Sequence, residues 1–194
     1  MKKLCFATRN LNKIAEMQAF LGQNFWPIVS IDEIGCLDEL AETTGTIEGN
    51  SAQKAAYVWE NFEVNVFADD SGLEIEALQG RPGVDSAHYA GTRDAAANIA
   101  KVLHEMEGAE NRKARFKTVI SLYWESQFYQ FTGLVSGQIL TEIRGKGGFG
   151  YDPIFMPDGH SQAFAEMSLE YKNQISHRAL ALAQLKSFLL GQKD

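Results

Sequence analysis

Apolar residues recur along the chain with two distinct periods. Residues 4–7 form a short apolar run, followed by the polar stretch Thr8-Arg9-Asn10-Leu11-Asn12. Ile14, Met17 and Leu21 then repeat at helical spacing, with Phe20 widening the stripe, which predicts strand, loop, helix. Ala52, Ala55, Ala56, Trp59 and Phe62 mark a second amphipathic helix, with Asn50 or Ser51 as its cap. Residues 64–68 predict a strand that ends in Asp69-Asp70-Ser71-Gly72. Beyond it Leu73, Ile75 and Ala77 alternate with Glu74 and Glu76, a half-exposed strand closing a hairpin-like turn. Asp94 is placed to cap a third helix with Ile99, Val102, Leu103 and Met106 inward. Residues 116–124, 128–135 and 138–143 predict three strands of an antiparallel meander. Ser176 caps a last helix carrying Ala181, Leu182, Leu185 and Phe188. This order argues for a mixed α/β fold whose sheet includes antiparallel strands. No repeat or low-complexity linker interrupts it, so a single domain over residues 1–194 is expected.

Composition narrows the function classes. With 45% hydrophobic and 22% charged residues the chain is an ordinary globular one, which excludes intrinsic disorder and a collagen-like repeat. A chain of 194 residues buries roughly 70% of its unfolded surface, enough for a sizeable core. The net charge is −7, opposite to that of a protein that coats nucleic acid. A polyanionic ligand would have to be drawn in by a few placed cations or a bound metal. The start Met1-Lys2-Lys3 mimics a signal peptide, but the apolar run behind it is too short for a hydrophobic region of that kind. No stretch approaches the about 18 apolar residues of a membrane span. Cys5 and Cys36 have no metal-site or disulfide spacing and read as buried or incidental thiols. A cytoplasmic protein without nucleic-acid or membrane partners is expected.

Three places carry candidate chemistry. Lys13 falls in the first turn of the first predicted helix with Arg9 just ahead, where the helix dipole disfavours cations. Taken alone this is a capped helix with two solvated basic residues. The last helix repeats the pattern, with His177 and Arg178 directly after Ser176 and Lys172 just upstream. Two such placements in one acidic chain shift the balance towards a shared anionic ligand. Asp69 and Asp70 close an apolar strand and point to opposite faces, so one suits a hard cation such as Mg²⁺ while the other supports the site. Ser71-Gly72 would let the backbone turn closely around that ion, and the same four residues are equally good β-turn chemistry. The run Gly145-Lys146-Gly147-Gly148-Phe149-Gly150 matches a dinucleotide fingerprint in letters only, because Tyr151-Asp152-Pro153 follows where a helix must open. It is not a Walker A loop either. A flexible wall on which Phe149 stacks a base, with Asp152 at the base edge, and a plain strand connection both remain open. Ser71 with His177 is no hydrolase dyad, since no nucleophile elbow surrounds the serine.

Four motifs occur in order: Thr8-Arg9-Asn10-Leu11-Asn12-Lys13 with Glu16; Ala68-Asp69-Asp70-Ser71-Gly72-Leu73; Gly147-Gly148-Phe149-Gly150-Tyr151-Asp152-Pro153-Ile154-Phe155; and Lys172 with Ile175-Ser176-His177-Arg178. In this the sequence closely resembles the inosine/xanthosine triphosphate pyrophosphatases, over about residues 4 to 190. The resemblance implies an elongated mixed sheet flanked by helices, two lobes with a nucleotide cleft between them, and a homodimer. It implies that Thr8, Arg9, Asn10, Leu11, Asn12 and Lys13 grip the triphosphate, and that Asp70 is catalytic base and Mg²⁺ ligand with Glu42 as second ligand. Ser71, Phe149, Gly150, Tyr151, Asp152, Lys172, His177 and Arg178 would bind the rest of a purine nucleoside triphosphate. The chain departs from the family pattern twice: it reads Glu42-Thr43-Thr44-Gly45 where Glu-Thr-Gly is usual, and Asn50-Ser51 where Asn-Ala is usual.

The expected reaction is Mg²⁺-dependent hydrolysis of ITP, dITP or XTP to the monophosphate and pyrophosphate. Two other readings compete with it. One is a phosphatase or a pyrophosphatase for modified pyrimidine nucleotides, separable by its products. The other is a signalling domain whose acidic pair accepts a phosphoryl group, which leaves the cationic helix starts unexplained.

Overall fold

The computed structural model describes residues 3–9, 11–22 and 26–192, with the side chains of residues 11, 12, 15, 16 and 19 outside the description. Its elements run β1 (Leu4–Phe6), α1 (Leu11–Leu21), β2 (Ile28–Ser30), α2 (Ile47–Phe62), β3 (Val66–Ile75), α3 (Ala95–Glu105), β4 (Lys113–Trp124), β5 (Gln127–Ile139), β6 (Phe155–Pro157), α4 (Leu169–Ile175) and α5 (His177–Leu190). The strands form one sheet in the order β2-β1-β3-β4-β5-β6. β1 lies parallel to both β2 and β3, whereas β5 and β6 are antiparallel. The expected mixed α/β sheet is therefore present. No helix among the described residues is long and apolar enough to cross a membrane.

Four expectations are corrected. Asp69-Asp70-Ser71-Gly72 is no turn: β3 runs unbroken through it from Val66 to Ile75. The polar side chains find partners on the pleated surface, so the strand has no reason to stop there. The meander has two long strands rather than three, because Gly137 stays inside β5. A Cβ there would meet the Met156 carbonyl at 2.3 Å, so this glycine marks the close approach of β6. α2 begins earlier than its apolar residues suggest. Thr46 is its cap, accepting the Gly49 N–H at 3.0 Å, while Asn50 and Ser51 lie inside the helix. Lys172 belongs to the last turn of α4, a favourable end for a cation, rather than to the N-terminus of α5.

Other expectations hold. Asp94 caps α3 by accepting from the Ala96 N–H at 2.9 Å, and Ile99, Val102 and Met106 are buried. Ser176 Oγ accepts from the Ala179 N–H at 3.2 Å at the start of α5. Cys5 and Cys36 are free and buried. β4 and β5 meet at Glu125 and Ser126, both with positive φ (49° and 69°), the backbone of a tight two-residue hairpin turn.

The chain forms two compact units. The first comprises Met1–Asp70, Val119–Thr132 and Leu182–Asp194. Its core packs Cys5, Val29, Ile31, Val58, Val66 and Ala68 under Tyr57, Trp59 and Phe62. The second comprises Ser71–Thr118 and Gly133–Ala181. Its core gathers Leu73, Ile75, Val102, Met106, Phe116, Phe155 and Phe164, with Phe116 and Phe155 edge to face at 4.6 Å.

Candidate active site

The first unit carries a cluster of carboxylates and lysines built on β3. Consecutive strand residues project to opposite faces, so Asp69 and Asp70 separate. Asp69 is buried and accepts from Lys13 Nζ at 2.9 and 3.1 Å, which joins the first turn of α1 to the strand. Asp70 turns the other way, and its Oδ1 lies 3.9 Å from Lys54 Nζ. Lys54 also donates to Glu42 Oε1, so one ammonium bridges two carboxylates.

Local chemistry dictates this arrangement. α2 buries a stripe of Ile47, Ser51, Lys54, Ala55 and Val58, at the spacing of one helix face. Ser51 Oγ donates to the Ala68 carbonyl at 2.9 Å and accepts the Ser121 N–H at 3.0 Å, which fixes the helix one turn before Lys54. Glu42 sits on a loop folded back over the helix. Asn50 Oδ1 accepts from the Thr44 N–H and Oγ1 at 3.1 and 2.9 Å, and Gln53 Oε1 accepts from the Thr43 N–H at 2.9 Å. Gly49 makes this fold possible, since a Cβ there would stand 2.3 Å from Thr44 Oγ1. Arg9 is engaged with Asp32 at 2.8 Å and with the carbonyls of Cys36 and Asp38 at 2.9 and 3.0 Å. It thereby ties the segment after β2 to the end of β1. Thr8 lies beside it, half-buried, with its N–H on the Phe6 carbonyl at 2.6 Å. Asn10, and the side chains of Leu11 and Asn12, lie outside the described residues.

The second unit carries an aromatic and cationic cluster. Phe149 is 61% exposed, although its backbone is held. Asp152 Oδ2 accepts the Phe149 N–H at 2.7 Å and is the ion-pair partner of Lys172. Both charged residues are buried. Lys172 Nζ stands 4.2 Å above the centre of the Phe149 ring, and the Arg178 guanidinium 5.8 Å from it. His177 is buried and stacks on Phe116 at 4.7 Å, with the planes 9° apart. Gly148 has φ +73°, and a Cβ there would meet Asp152 Oδ2 at 2.2 Å, so only glycine lets the loop wrap the carboxylate. The glycine loop is not loose: the Gly147 N–H donates to the Ala165 carbonyl at 3.0 Å. Gly150 has a left-handed φ of 57°. Tyr151 is buried, its hydroxyl donates to the Ser86 carbonyl at 2.9 Å, and burial, then Tyr89, pushes its pKa up. Ser71 Oγ shares a 2.7 Å hydrogen bond with Thr118 Oγ1.

A model of the Ham1 family matches residues 4–188. The chain belongs to the Ham1 family. It is 49% identical over 195 residues to a dITP/XTP pyrophosphatase of Porphyromonas gingivalis, covering 100% of both chains. Against one of Flavobacterium johnsoniae the identity is 47% over 192 residues, with 98% and 100% covered. A solved Ham1 protein of Staphylococcus aureus superposes with a TM-score of 0.93 at 37% identity, over 99% of this chain and 100% of that one. A HAM1 protein of Coxiella burnetii gives 0.92 at 38%, over 98% and 100%.

Within this family member, Lys54 is the site residue that sequence reasoning missed. Its signal was a lysine on a buried helix face, masked because the apolar residues Ala52, Ala56, Trp59 and Phe62 suggested a different stripe. Among the described residues no group of three or more His, Cys, Asp or Glu is placed to hold a metal. Two hard oxygen donors without a cage suit Mg²⁺, which keeps waters and takes further ligands from phosphate. Glu42 and Asp70, already sharing one cation, fit that requirement.

Proposed function

We propose that this Ham1 protein hydrolyses non-standard purine nucleoside triphosphates (ITP, dITP, XTP) to the monophosphate and pyrophosphate. The observation that carries this reading is the pair of carboxylates, Glu42 and Asp70, gathered around one ammonium. On the Asp70 face two carboxylates share one lysine, which leaves it negative. A triphosphate with about four negative charges is therefore accepted only together with a cation. Mg²⁺ held by Asp70 and Glu42 would offset that charge and polarise the phosphoryl oxygens. The segment Thr8, Arg9, Asn10, Leu11, Asn12 and Lys13 grips the triphosphate, with Lys13 kept in place by Asp69 and Arg9 bracing the segment through Asp32. Asp70 takes a proton from the attacking water as pyrophosphate leaves in line. No activated serine or cysteine is needed.

The cluster of the second unit suits a purine base. Phe149 offers a ring face, and Asp152 with Lys172 holds the backbone beneath it. Gly150 and Tyr151 shape the loop around it, while Ser71, held to Thr118, presents its hydroxyl from β3. Hypoxanthine and xanthine present an oxo acceptor at position 6 where adenine presents a donor. Arg178, with His177, supplies donors, and a buried donor left unmatched costs about 1–3 kcal/mol, enough for useful discrimination. A cytoplasmic homodimer goes with this reading. The named relatives at 49% and 47% identity support it over an orthophosphate-releasing phosphatase.

The test is a panel of nucleoside triphosphates with and without Mg²⁺, with the phosphate product identified. Pyrophosphate from ITP, dITP and XTP in preference to ATP is expected, with the preference eroded in Arg178→Ala. Orthophosphate as the product, or a preference for pyrimidine nucleotides, would overturn it.

A further inference from the structure

Lys54 is nine-tenths buried as a side chain, yet it lies on the helix face that packs inward rather than at a surface. Its ammonium donates to Glu42 Oε1 and stands 3.9 Å from Asp70 Oδ1. A magnesium ion bound to both carboxylates needs oxygens at about 2.0–2.1 Å, which brings it up against the ammonium held on Glu42. Two cations so close in a partly buried site repel strongly, so they do not share it. The backbone of Lys54 is unable to retreat. Ser51, one turn earlier, is latched to the Ala68 carbonyl and the Ser121 N–H, and Thr46 caps the same helix. Only the flexible four-carbon stem can swing.

We propose that Lys54 is a resident counter-cation: it holds Glu42 and Asp70 together until a divalent cation arrives, and is then displaced onto the incoming phosphates. The proposal rests on the metal-site reading above and adds an order to it. A bare metal ion must expel the ammonium with nothing to receive it, whereas a metal accompanied by a polyphosphate supplies the receiving anion. Metal and nucleotide therefore bind with positive coupling, and each strengthens the other by the same factor. Without Lys54 the two carboxylates lose that shared positive charge and take up metal alone more readily.

The experiment is Mn²⁺ binding to the full chain without nucleotide, followed by the paramagnetic signal of free Mn²⁺. Wild type, Lys54→Met, Lys54→Gln and Lys54→Arg are compared, with Glu42→Gln added to the Lys54→Met background. Lys54→Met and Lys54→Gln should bind Mn²⁺ about tenfold tighter or better than wild type, and Lys54→Arg should stay near wild type. The gain should vanish when Glu42→Gln is added. Equal or weaker Mn²⁺ binding in both neutral variants overturns the proposal, as does a gain that survives loss of Glu42. Should the neutral variants melt early, added Mn²⁺ should restore their melting temperature, and failure to do so also overturns it. These outcomes do not depend on which nucleotide is hydrolysed, so the functional reading and the displacement stand or fall separately.

Discussion

Removing the positive partner of the buried Asp152–Lys172 pair should be among the most damaging single changes in the second unit. Asp152 is 2% and Lys172 5% exposed, so neither charge has recourse to water. Lys172→Met leaves the Asp152 carboxylate with the Phe149 N–H at 2.7 Å as its remaining partner. Breaking a buried pair from one side costs about 3–5 kcal/mol, a large share of the about 5–15 kcal/mol that separates folded from unfolded domains. Asp152→Asn keeps an acceptor for Phe149 but strands the ammonium beside Phe149 and Phe164, 4.2 and 5.6 Å from their ring centres. The double variant buries no charge at all, and should be no less stable than either single one. Urea melts of the three variants and the wild type decide this. Additive costs below about 1 kcal/mol each, as for an exposed ion pair, would refute the reasoning.

Three further outcomes follow from other parts of the molecule. Asp70→Asn should fold normally, by melting temperature, while turnover falls about a hundredfold or more; near-normal turnover removes Asp70 from the role of base. Gly133 lies directly under the start of α5, where a Cβ would stand 1.9 Å from the His177 carbonyl oxygen and 2.7 Å from the Ala181 nitrogen. Gly133→Ala should therefore cost about 1–3 kcal/mol and shift His177 and Arg178, lowering selectivity for ITP over ATP with Mn²⁺ affinity unchanged; intact selectivity would contradict this. Burial, then Cys36 and Glu33, pushes the Cys5 thiol from 9.0 up to about 12. The unfolded thiol ionises first, so this contribution is whole below pH 9 and is lost towards pH 12, at about 1.4 kcal/mol per pH unit. Cys5→Ala should flatten that alkaline slope of the urea-derived stability, and an unchanged slope would exclude the cause.

Helices with a single amphipathic face and a polar cap were legible from sequence, α3 with Asp94 being the clearest. Of the motif residues the structure brings Phe149 together with Lys172 and Arg178, and Lys54 links Asp70 to Glu42. Partnered polar residues misled instead. Asp69 and Ser71 look like turn formers until Lys13 and Thr118 are beside them. Ser51 looks like a cap until it is seen bonding β3 and β4. Lys54 looks like a solvated lysine until Glu42 meets it. The turn at Glu125-Ser126 lacks the glycine or asparagine that usually announces it. β2, β6 and α4, of three, three and seven residues, are too short to show a period.

In the proposed reaction Asp70 delivers water to the phosphorus nearest the sugar, and pyrophosphate departs whole. Hydrolysis of ITP in ¹⁸O-labelled water, with both products weighed by mass spectrometry, tests that directly. One ¹⁸O atom in inosine monophosphate and none in pyrophosphate is the predicted result. Label in pyrophosphate, or release of inosine diphosphate with labelled orthophosphate, would contradict it.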